Sequence, residues 1–362
     1  MPRLLVDRPL VLHAIESFGG GSYEVLRRVA WATAANYRVV VLHGQRPGGP
    51  TNPAGDFPPG TVFREWRVQR EIGLREDLRA LRTLSALVRH LRPALVHAHS
   101  SKAGALARLA CLGTATPVIY SPHGYAFQRQ DVGKGVRRVY RLVEFALGRL
   151  PYVTVACGPS ELVQARSVAR KVLEVPNGVD LASIDASAAT SAPNDTPLVA
   201  SAGRIAPQKD FELFASLSTD PRLSASSFVW FGGPDDGTCQ GRVTISGWLA
   251  QADLYRRMSA ADVFVQTSTW EGLPLVVLEA MALGLPVVAR PIPGTSDLVR
   301  HGVTGFLCTD SAAFVTAIAQ LVNDPVLRAS MGREGRRLVE ERYNSVDVAS
   351  KWRDVYREYA TS

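Results

Sequence analysis

Two glutamates eight residues apart, Glu271 and Glu279, bracket the run Glu-Gly-Leu-Pro-Leu-Val-Val-Leu-Glu. Leu275, Val276, Val277, Leu278, Ala280, Met281 and Leu283 surround Glu279 at helical spacing. The helix this predicts is apolar on all sides, so it is buried and takes the carboxylate in with it. A buried charge is costly unless it meets a specific partner. A vicinal diol is one such partner, since two adjacent hydroxyls can both donate to one carboxylate, and ribose offers that diol. A core arginine is the ordinary alternative. Glu271 stands just before the helix, where backbone N–H groups lack intrahelical partners and can hold an anion or a sugar hydroxyl. Pro274 turns the chain into the helix, the pattern runs to Gly284, and Leu285–Ala289 reads as the next strand.

Other residues with chemistry stand at the ends of apolar runs. Leu198–Ala202 leads into Gly203-Arg-Ile-Ala-Pro-Gln-Lys-Asp210, which places Arg204 and Lys209 in a loop expected to be mobile without a ligand. An arginine grips phosphate with two parallel hydrogen bonds and a lysine adds a point charge. Leu10–Ala14 leads into Glu16-Ser-Phe-Gly-Gly-Gly21, where Gly19, Gly20 and Gly21 let backbone amides approach a ligand, although the dinucleotide spacing GxGxxG is missing. His97, His99 and His123 invite a metal reading. The two on the strand Leu95–His99 are expected on opposite faces, which argues against a shared ion. Asp235-Asp236, inside Gly232–Gly237, is the nearest thing to a metal-binding acid pair and reads more readily as a turn.

Strands and helices must position these groups. Strand patterns at 10–14, 38–43, 95–99, 117–121 and 152–156 alternate with helical ones, and so do those at 198–202, 228–231, 243–246, 263–266 and 286–289. That alternation predicts mainly parallel sheets covered on both faces. The small, polar stretch 181–196 separates the two sets, so 1–182 and 183–344 are expected as two α/β domains enclosing a cleft, with 345–362 a final helix crossing back to the first. Phe314, Ile318 and Leu321 mark a helix past Asp310, and Trp352, Val355 and Tyr359 are expected to anchor the last one.

A chain of 362 residues is long enough for two such cores. Cys111, Cys157, Cys239 and Cys308 show no CxxC spacing, which argues against a zinc or disulfide framework and fits a reducing cytoplasm. Asp7 and Arg8 stand where an export signal needs its apolar core, and no run is long and apolar enough to span a bilayer. The formal charge of +8 points to anionic partners. From Arg64 to Arg92 eight arginines, at 64, 67, 70, 75, 79, 82, 89 and 92, accompany an apolar stripe that starts near Leu74. Such a basic amphipathic helix can rest on an anionic membrane, or serve as an ordinary surface helix.

Together these motifs resemble glycosyltransferase family 4, whose members are retaining enzymes of the GT-B fold. The run from Thr269 to Ala289 carries the family's Glu-x7-Glu signature, and Pro293–Val299 and Gly302–Leu307 continue it. Gly203–Lys209 is similar to the donor-phosphate loop, Pro176–Asp180 to the interdomain crossing, and Ser160-Glu161 to a recurrent pair. His99–Gly104 and Pro122–Phe127 are similar to members that build bacterial surface polysaccharides on polyprenyl-diphosphate lipids.

The resemblance implies two Rossmann-like domains with parallel sheets facing a central cleft, acceptor on the N-terminal side and donor on the other. Glu279 is then expected to hold the ribose hydroxyls, Glu271 a hydroxyl of the transferred sugar, and Arg204 and Lys209 the diphosphate, aided by amides around Gly272, Leu273, Pro274 and Leu275 at the helix start. His123 is expected to cross the cleft to the donor sugar, Gly19–Gly21 to approach donor and acceptor, and Gly247 and Trp248 to touch the base. The implied reaction is a front-face transfer with retention, in which the leaving phosphate helps take the acceptor proton, with neither metal nor cofactor. A UDP-sugar is the favoured donor, GDP-mannose the alternative, and a polyprenyl-diphosphate-linked glycan the acceptor. The enzyme is expected in the cytoplasm, with an anionic membrane surface at the inner face as a further partner and no nucleic acid. A GT-B sugar-nucleotide epimerase and a non-catalytic basic binding protein are the competing readings.

Overall fold

The computed structural model describes residues 8–46, 49–50, 52–69, 71–188, 196–234 and 241–360. The start of the chain, Arg70, residues 189–195 of the polar stretch, Asp235-Asp236 with Gly237, and Cys239 lie outside them. The chain divides into two compact units, one of Met1–Gln128, Val132–Pro176 and Val348–Ser362, the other of Arg129–Asp131 and Asn177–Asp347.

In the N-terminal unit the strands are β1 (Leu10–Ile15), β2 (Arg38–His43), β3 (Val62–Glu65), β4 (Leu95–His99), β5 (Val118–Ser121), β6 (Val153–Ala156) and β7 (Val172–Glu174). Between them run α1 (Gly20–Thr33), α2 (Leu74–Leu91), α3 (Ser101–Ala110), α4 (Lys134–Leu147) and α5 (Pro159–Val168). All strand pairs are parallel, in the order β3-β2-β1-β4-β5-β6-β7. The order reverses between β1 and β4, and in open parallel sheets the carboxyl ends at that reversal form the ligand crevice. Leu12, Ala14, Val96 and Ala98 pack beneath α2 and α3 on one face, while Ile15, Val39 and Val41 meet Leu26 and Ala30 of α1 on the other.

The C-terminal unit begins with α6 (Leu181–Ala188) and continues through β8 (Leu198–Ala202), α7 (Phe211–Leu217), β9 (Ser227–Phe231), β10 (Val243–Ile245), α8 (Gln251–Met258), β11 (Val263–Gln266), α9 (Leu275–Ala282), β12 (Val287–Ala289), α10 (Thr295–Leu298), β13 (Gly305–Leu307), α11 (Ser311–Asn323) and α12 (Pro325–Arg342). Its sheet is parallel too, in the order β10-β9-β8-β11-β12-β13, with the reversal between β8 and β11. The last helix, α13 (Ser345–Tyr359), lies mostly in the N-terminal unit. There Trp352, Val355 and Tyr356 are buried, and Tyr359 is half-buried with Lys171 Nζ 4.4 Å from the centre of its ring.

Several local expectations are revised. Leu181–Ala188 is helical rather than linker, because Ile184 buries completely and Asp180 accepts from Ser183 N at 3.1 Å in the first turn. Arg64 stands on the edge strand β3 rather than in a helix. Most of the stripe of α2 packs on its own sheet, since Ala80, Leu84 and Val88 are buried and Leu81, Leu87 and Leu91 pack against the same cluster, whereas Leu74 and Leu78 at its start are exposed. Arg75, Arg79, Arg82 and Arg89 are exposed on its outer side.

Helix α4 has the opposite arrangement. Its one fully buried side chain is the charged Glu144, held by Arg108 at 2.7 Å and the Tyr120 hydroxyl at 2.7 Å. Val136, Val139, Leu142, Val143 and Phe145 are exposed, Val139 to 51% and Leu142 to 66%. A helix that buries its carboxylate and presents valine and leucine to solvent leaves an apolar face without a protein partner among the described residues. No helix among the described residues is long and apolar enough to cross a membrane.

Candidate functional site

At the reversal point of the C-terminal sheet, strands β8 and β11 lie side by side, and the loops that leave their carboxyl ends carry the residues of interest. The loop after β8 makes a tight turn at Gly203, whose φ of +141° suits glycine, and a Cβ there would stand 3.1 Å from Lys209 Cε. The turn folds Lys209 back across the strand end. Lys209 Nζ then donates to Glu271 Oε1 at 2.6 Å. Glu271 also receives the amide of Gln266 at 3.2 Å and that of Gln208 at 3.3 Å, so its carboxylate is charge-paired and oriented from three sides. Thr267 Oγ1 donates to Lys209 O at 2.7 Å and Thr269 N to Gln208 O at 2.9 Å. Asp210 accepts from Arg290, which leaves the end of β12. The expected mobile loop is therefore tied to its neighbours on both sides, because its polar backbone finds the β11 loop at hand. Arg204 lies half-buried in the same loop.

The segment Glu271–Leu275 is buried throughout and delivers the chain to α9, which starts at Leu275 with Pro274 at its N-cap and no side-chain cap. Pro274 has no N–H, so only its neighbours there can donate. Asn177 Nδ2 donates to Leu273 O at 2.8 Å and fixes the loop. Gly294, at φ +86°, passes so near that a Cβ would collide with Gly272 O. Leu275, Val277, Leu278, Ala280, Met281 and Ala282 are buried, as the sequence led one to expect of a helix apolar on all sides. Glu279 is buried with them. Its Oε1 accepts the Tyr255 hydroxyl at 2.9 Å, and Tyr255 in turn accepts from Gln251 Nε2 at 2.7 Å. A tyrosine of α8 thus helps to orient the carboxylate. Next to the turn after β9, Gly232 N donates to Gly247 O at 3.0 Å, and Trp248 follows with 54% of its surface exposed. An exposed indole offers a flat apolar face to a planar ring.

The N-terminal unit places its own residues at the β1/β4 reversal. Gly19 precedes α1 and Gly20 opens it at φ +64°, while Arg46 donates from Nη1 to Gly19 O at 2.8 Å and covers the glycine turn. Glu16, just past β1, accepts from Ser100, just past β4. Residues two apart on a strand share a face, so the expectation for His97 and His99 is overturned. Their rings lie 4.1 Å apart, and His13, the register partner of His97 on β1, joins them on the same face. All three are fully buried, and ligand atoms of His13, His97 and His99 lie within 4.8 Å of one another. Their nitrogens already have protein partners, apart from His13 Nε2. His97 meets the Tyr356 hydroxyl at 2.8 Å and Ser121 Oγ at 3.0 Å. His99 Nε2 lies 3.1 Å from His13 Nδ1, and His99 Nδ1 lies 3.0 Å from His123 Nε2.

His123 occupies a left-handed turn, φ +53°, before Gly124 at φ +95°. Buried Glu161 clamps that turn by accepting Gly124 N at 2.6 Å and Cys157 N at 2.8 Å. Burial pushes the Glu161 carboxyl above its ordinary range even though both amides favour the charged form. Desolvation also keeps the histidines neutral, with His13 pushed down to about 3, His123 to about 4, and His97 and His99 well below the usual value. Arg46, His13, Gln266 and Tyr255 escaped the sequence reading. Register with a recognised motif on the neighbouring strand was the one signal that pointed to any of them, pairing His13 with His97.

Within each unit, then, the expected residues gather at one sheet edge. Lys209, Glu271 and Glu279 attend the C-terminal edge and His123 and the glycines the N-terminal one, while residues 272–275 are buried. The family profile described as "Glycosyl transferases group 1" matches residues 196–324, and "Glycosyl transferase 4-like domain" matches residues 19–178. The chain is 28% identical over 318 residues to the Escherichia coli UDP-Gal:alpha-D-GlcNAc-diphosphoundecaprenol alpha-1,3-galactosyltransferase, covering 79% of this chain and 81% of that one. It is 23% identical to the Staphylococcus aureus capsular polysaccharide biosynthesis glycosyltransferase CapM, covering 81% and 84%. Among solved structures, sucrose-phosphate synthase from Thermosynechococcus elongatus superposes with a TM-score of 0.81 at 22% identity, over 97% of this chain and 99% of that one. Anabaena HepE, in complex with UDP and glucose, gives 0.76 at 19% identity, over 97% and 100%. Two profiles that between them take up most of the chain, and structural likeness along nearly its whole length, lead to one conclusion: the chain belongs to the group 1, family-4-like glycosyltransferases and has their GT-B fold.

Proposed function

We propose that this glycosyltransferase moves a hexosyl or N-acetylhexosaminyl group, with retention of configuration, from a UDP-sugar to a glycan carried on a polyprenyl diphosphate. The observation that carries the reading is the pair of buried carboxylates at one sheet edge, Glu271 bound to Lys209 and Glu279 bound to Tyr255. Glu279 accepts from the ribose hydroxyls and Glu271 from a hydroxyl of the sugar. Lys209 has three N–H donors, one of which holds Glu271, and with Arg204 it meets the diphosphate. His123 donates to the transferred sugar, and Trp248 stacks on the base. Gly19–Gly21, with Arg46 beside them, serve the donor and acceptor phosphates. The E. coli relative, by its name, uses UDP-Gal and a diphosphoundecaprenol acceptor, which supports the donor base and the acceptor class.

In the reaction the bond from the anomeric carbon to the β-phosphate oxygen breaks, and its electron pair leaves with UDP. The acceptor hydroxyl bonds to that carbon on the same face, and its proton passes to the departing phosphate. Lys209 and Arg204 stabilise the charge that develops on the leaving group, which is where preorganised positive potential accelerates transfer. The reading calls on no metal. Incubating the protein with a UDP-sugar and a polyprenyl-diphosphate-linked acceptor, then assigning the new anomeric centre by NMR, tests it. A product with the donor's configuration is expected, and an inverted one contradicts it.

The same reading includes an anionic membrane surface as the place where the acceptor is met, with α4 as the contact in place of α2. The exposed Val136, Val139, Leu142 and Val143 offer an apolar face, and Lys134, Arg137, Arg138, Arg141 and Arg149 supply the complementary charge. Flotation with phosphatidylglycerol vesicles tests this contact. Val139→Asp/Leu142→Asp is expected to abolish flotation, whereas replacing Arg75, Arg79 and Arg82 of α2 leaves most of it. The reverse pattern returns the contact to α2.

A further inference from the structure

The imidazoles of His13, His99 and His123 form a chain. His13 Nδ1 and His99 Nε2 lie 3.1 Å apart, and His99 Nδ1 and His123 Nε2 lie 3.0 Å apart. A neutral imidazole has one N–H and one lone pair, so the two hydrogen bonds must run in the same direction. Either His13 donates to His99 and His99 to His123, or the reverse. The chain ends at two buried nitrogens without a hydrogen-bond partner among the described residues, His13 Nε2 and His123 Nδ1.

The ends are not equivalent. Both end nitrogens are buried, but His13 is fully enclosed on β1, packed beside His97 and Tyr356, while the half-buried His123 sits on a loop past the end of β5, where a ligand can bring an acceptor to its Nδ1. An orphaned N–H in a protein interior is rarer and less tolerated than an acceptor whose lone pair is unused. The inward end therefore keeps the lone pair, and the direction that follows is His13 Nδ1–H to His99 Nε2, then His99 Nδ1–H to His123 Nε2. The outer nitrogen of His123 is left as an N–H donor. We propose that His13 and His99 are positioning residues that fix His123 as the Nδ1–H tautomer, ready to donate to an oxygen of the transferred sugar. That the two bonds run in one direction rests on the chain alone, whereas the direction chosen, with an acceptor brought to His123 Nδ1, rests on the functional reading given above.

The surrounding geometry holds this arrangement in place. The His99 and His123 rings are stacked at 5.3 Å with 7° between their planes. The left-handed backbone of His123 is a conformation that side chains other than glycine seldom adopt, and Glu161 secures it through Gly124 N at 2.6 Å. Burial keeps every ring in the chain neutral, which the directional argument requires.

The test uses the full chain labelled with 15N-histidine. Long-range proton–nitrogen spectra, assigned with His123→Gln, report which ring nitrogen carries the proton. The wild type is expected to show a protonated Nδ1 and a bare Nε2 on His123. In His13→Leu the donor is gone and the His123 ring is expected to lose that single tautomer. His13→Asn, whose side-chain amide keeps a donor near the place of Nδ1, is expected to restore it. In transfer assays His13→Leu should lower kcat about five- to tenfold, the worth of one oriented hydrogen bond, with the donor KM nearly unchanged. Melting curves on each variant confirm the fold. A wild-type His123 protonated on Nε2, or an Nδ1–H tautomer that persists in His13→Leu, overturns the relay. If the tautomer behaves as expected but His123→Ala transfers sugar at the wild-type rate, the relay stands and the role of His123 in the reaction falls.

Discussion

Lys209 and Glu271 lie 62 residues apart in the chain, and their charged groups meet at 2.6 Å on the edge of the C-terminal sheet. Breaking a pair so largely removed from water leaves an uncompensated charge, which costs about 3 kcal/mol when one partner is removed. Here Gln266 and Gln208 soften the loss for Glu271, so Lys209→Met should destabilise less than Glu271→Leu. Both should slow transfer by about 100-fold, since each removes a group that the proposed function sets against the sugar or its diphosphate. The double variant should fall well short of the product of the two effects, because the residues act as a unit. Denaturant titrations and steady-state kinetics on the three proteins give both numbers.

Glu279 should behave differently. Its carboxylate accepts from Tyr255 at 2.9 Å and is proposed to hold the ribose. Glu279→Gln is expected to raise the donor KM about tenfold with little change in kcat, as the loss of binding common to ground and transition states requires. Tyr255→Phe, which removes one of the groups that orient the carboxylate, should raise KM in the same direction by a smaller factor. A fall in kcat at unchanged KM would move Glu279 from binding to chemistry.

Gly294 carries no functional group, yet it is expected to matter. Its φ of +86° and the nearness of Gly272 O leave no room for a side chain. Gly294→Ala should lower stability by about 2 kcal/mol or more and displace the Glu271–Gly272 turn, so transfer should fall at temperatures where the variant is still folded. A thermal melt and an assay at low temperature separate the two effects.

The buried histidines set a pH dependence of stability. Each is neutral in the folded chain, with His13 held down to about 3 and His123 to about 4 by burial, against an ordinary value near 6.5 when unfolded. Above that value neither state binds the proton and the full stability is present. As the pH falls below it, the unfolded chain takes up protons that the folded chain refuses, and stability declines until the folded-state values are reached. Each such histidine contributes a slope of about 1.4 kcal/mol per pH unit inside its window. Urea midpoints should therefore fall between pH 7 and pH 5, and less steeply in His13→Asn. A flat or rising profile over that range would contradict the burial of neutral rings.

The central strands could be read from the sequence because each is an apolar run closed by glycine or a polar turn, as in Leu10–Ile15 and Val263–Gln266. Of the four edge strands, Val243–Ile245 was read from its sequence pattern, whereas Val62–Glu65, Val172–Glu174 and Gly305–Leu307 were not, since a short strand paired on one side needs neither apolar length nor alternation. Glu271 and Glu279 were legible as buried carboxylates because an apolar helix makes a charge conspicuous. Their partners were not. Tyr255 reaches Glu279 from another helix and Gln266 reaches Glu271 from a strand end, and neither relation is written in local spacing. The apolar stripe of α2 was legible but its cover was not, because periodicity shows that a helix has an apolar face without showing what covers it. For α4 the answer lay in Glu144, whose pairing with Arg108 and Tyr120 turns the charged side inward.

The measurement that tests the account most directly is the thermal stabilisation of the protein by UDP-, GDP- and ADP-sugars, since a ligand bound only by the folded state raises the melting temperature by mass action. A shift with UDP-sugars alone, lost in Glu279→Ala, is the predicted result. A shift with GDP-mannose alone, a UDP-sugar shift that survives Glu279→Ala, or no shift with any of them would contradict the account.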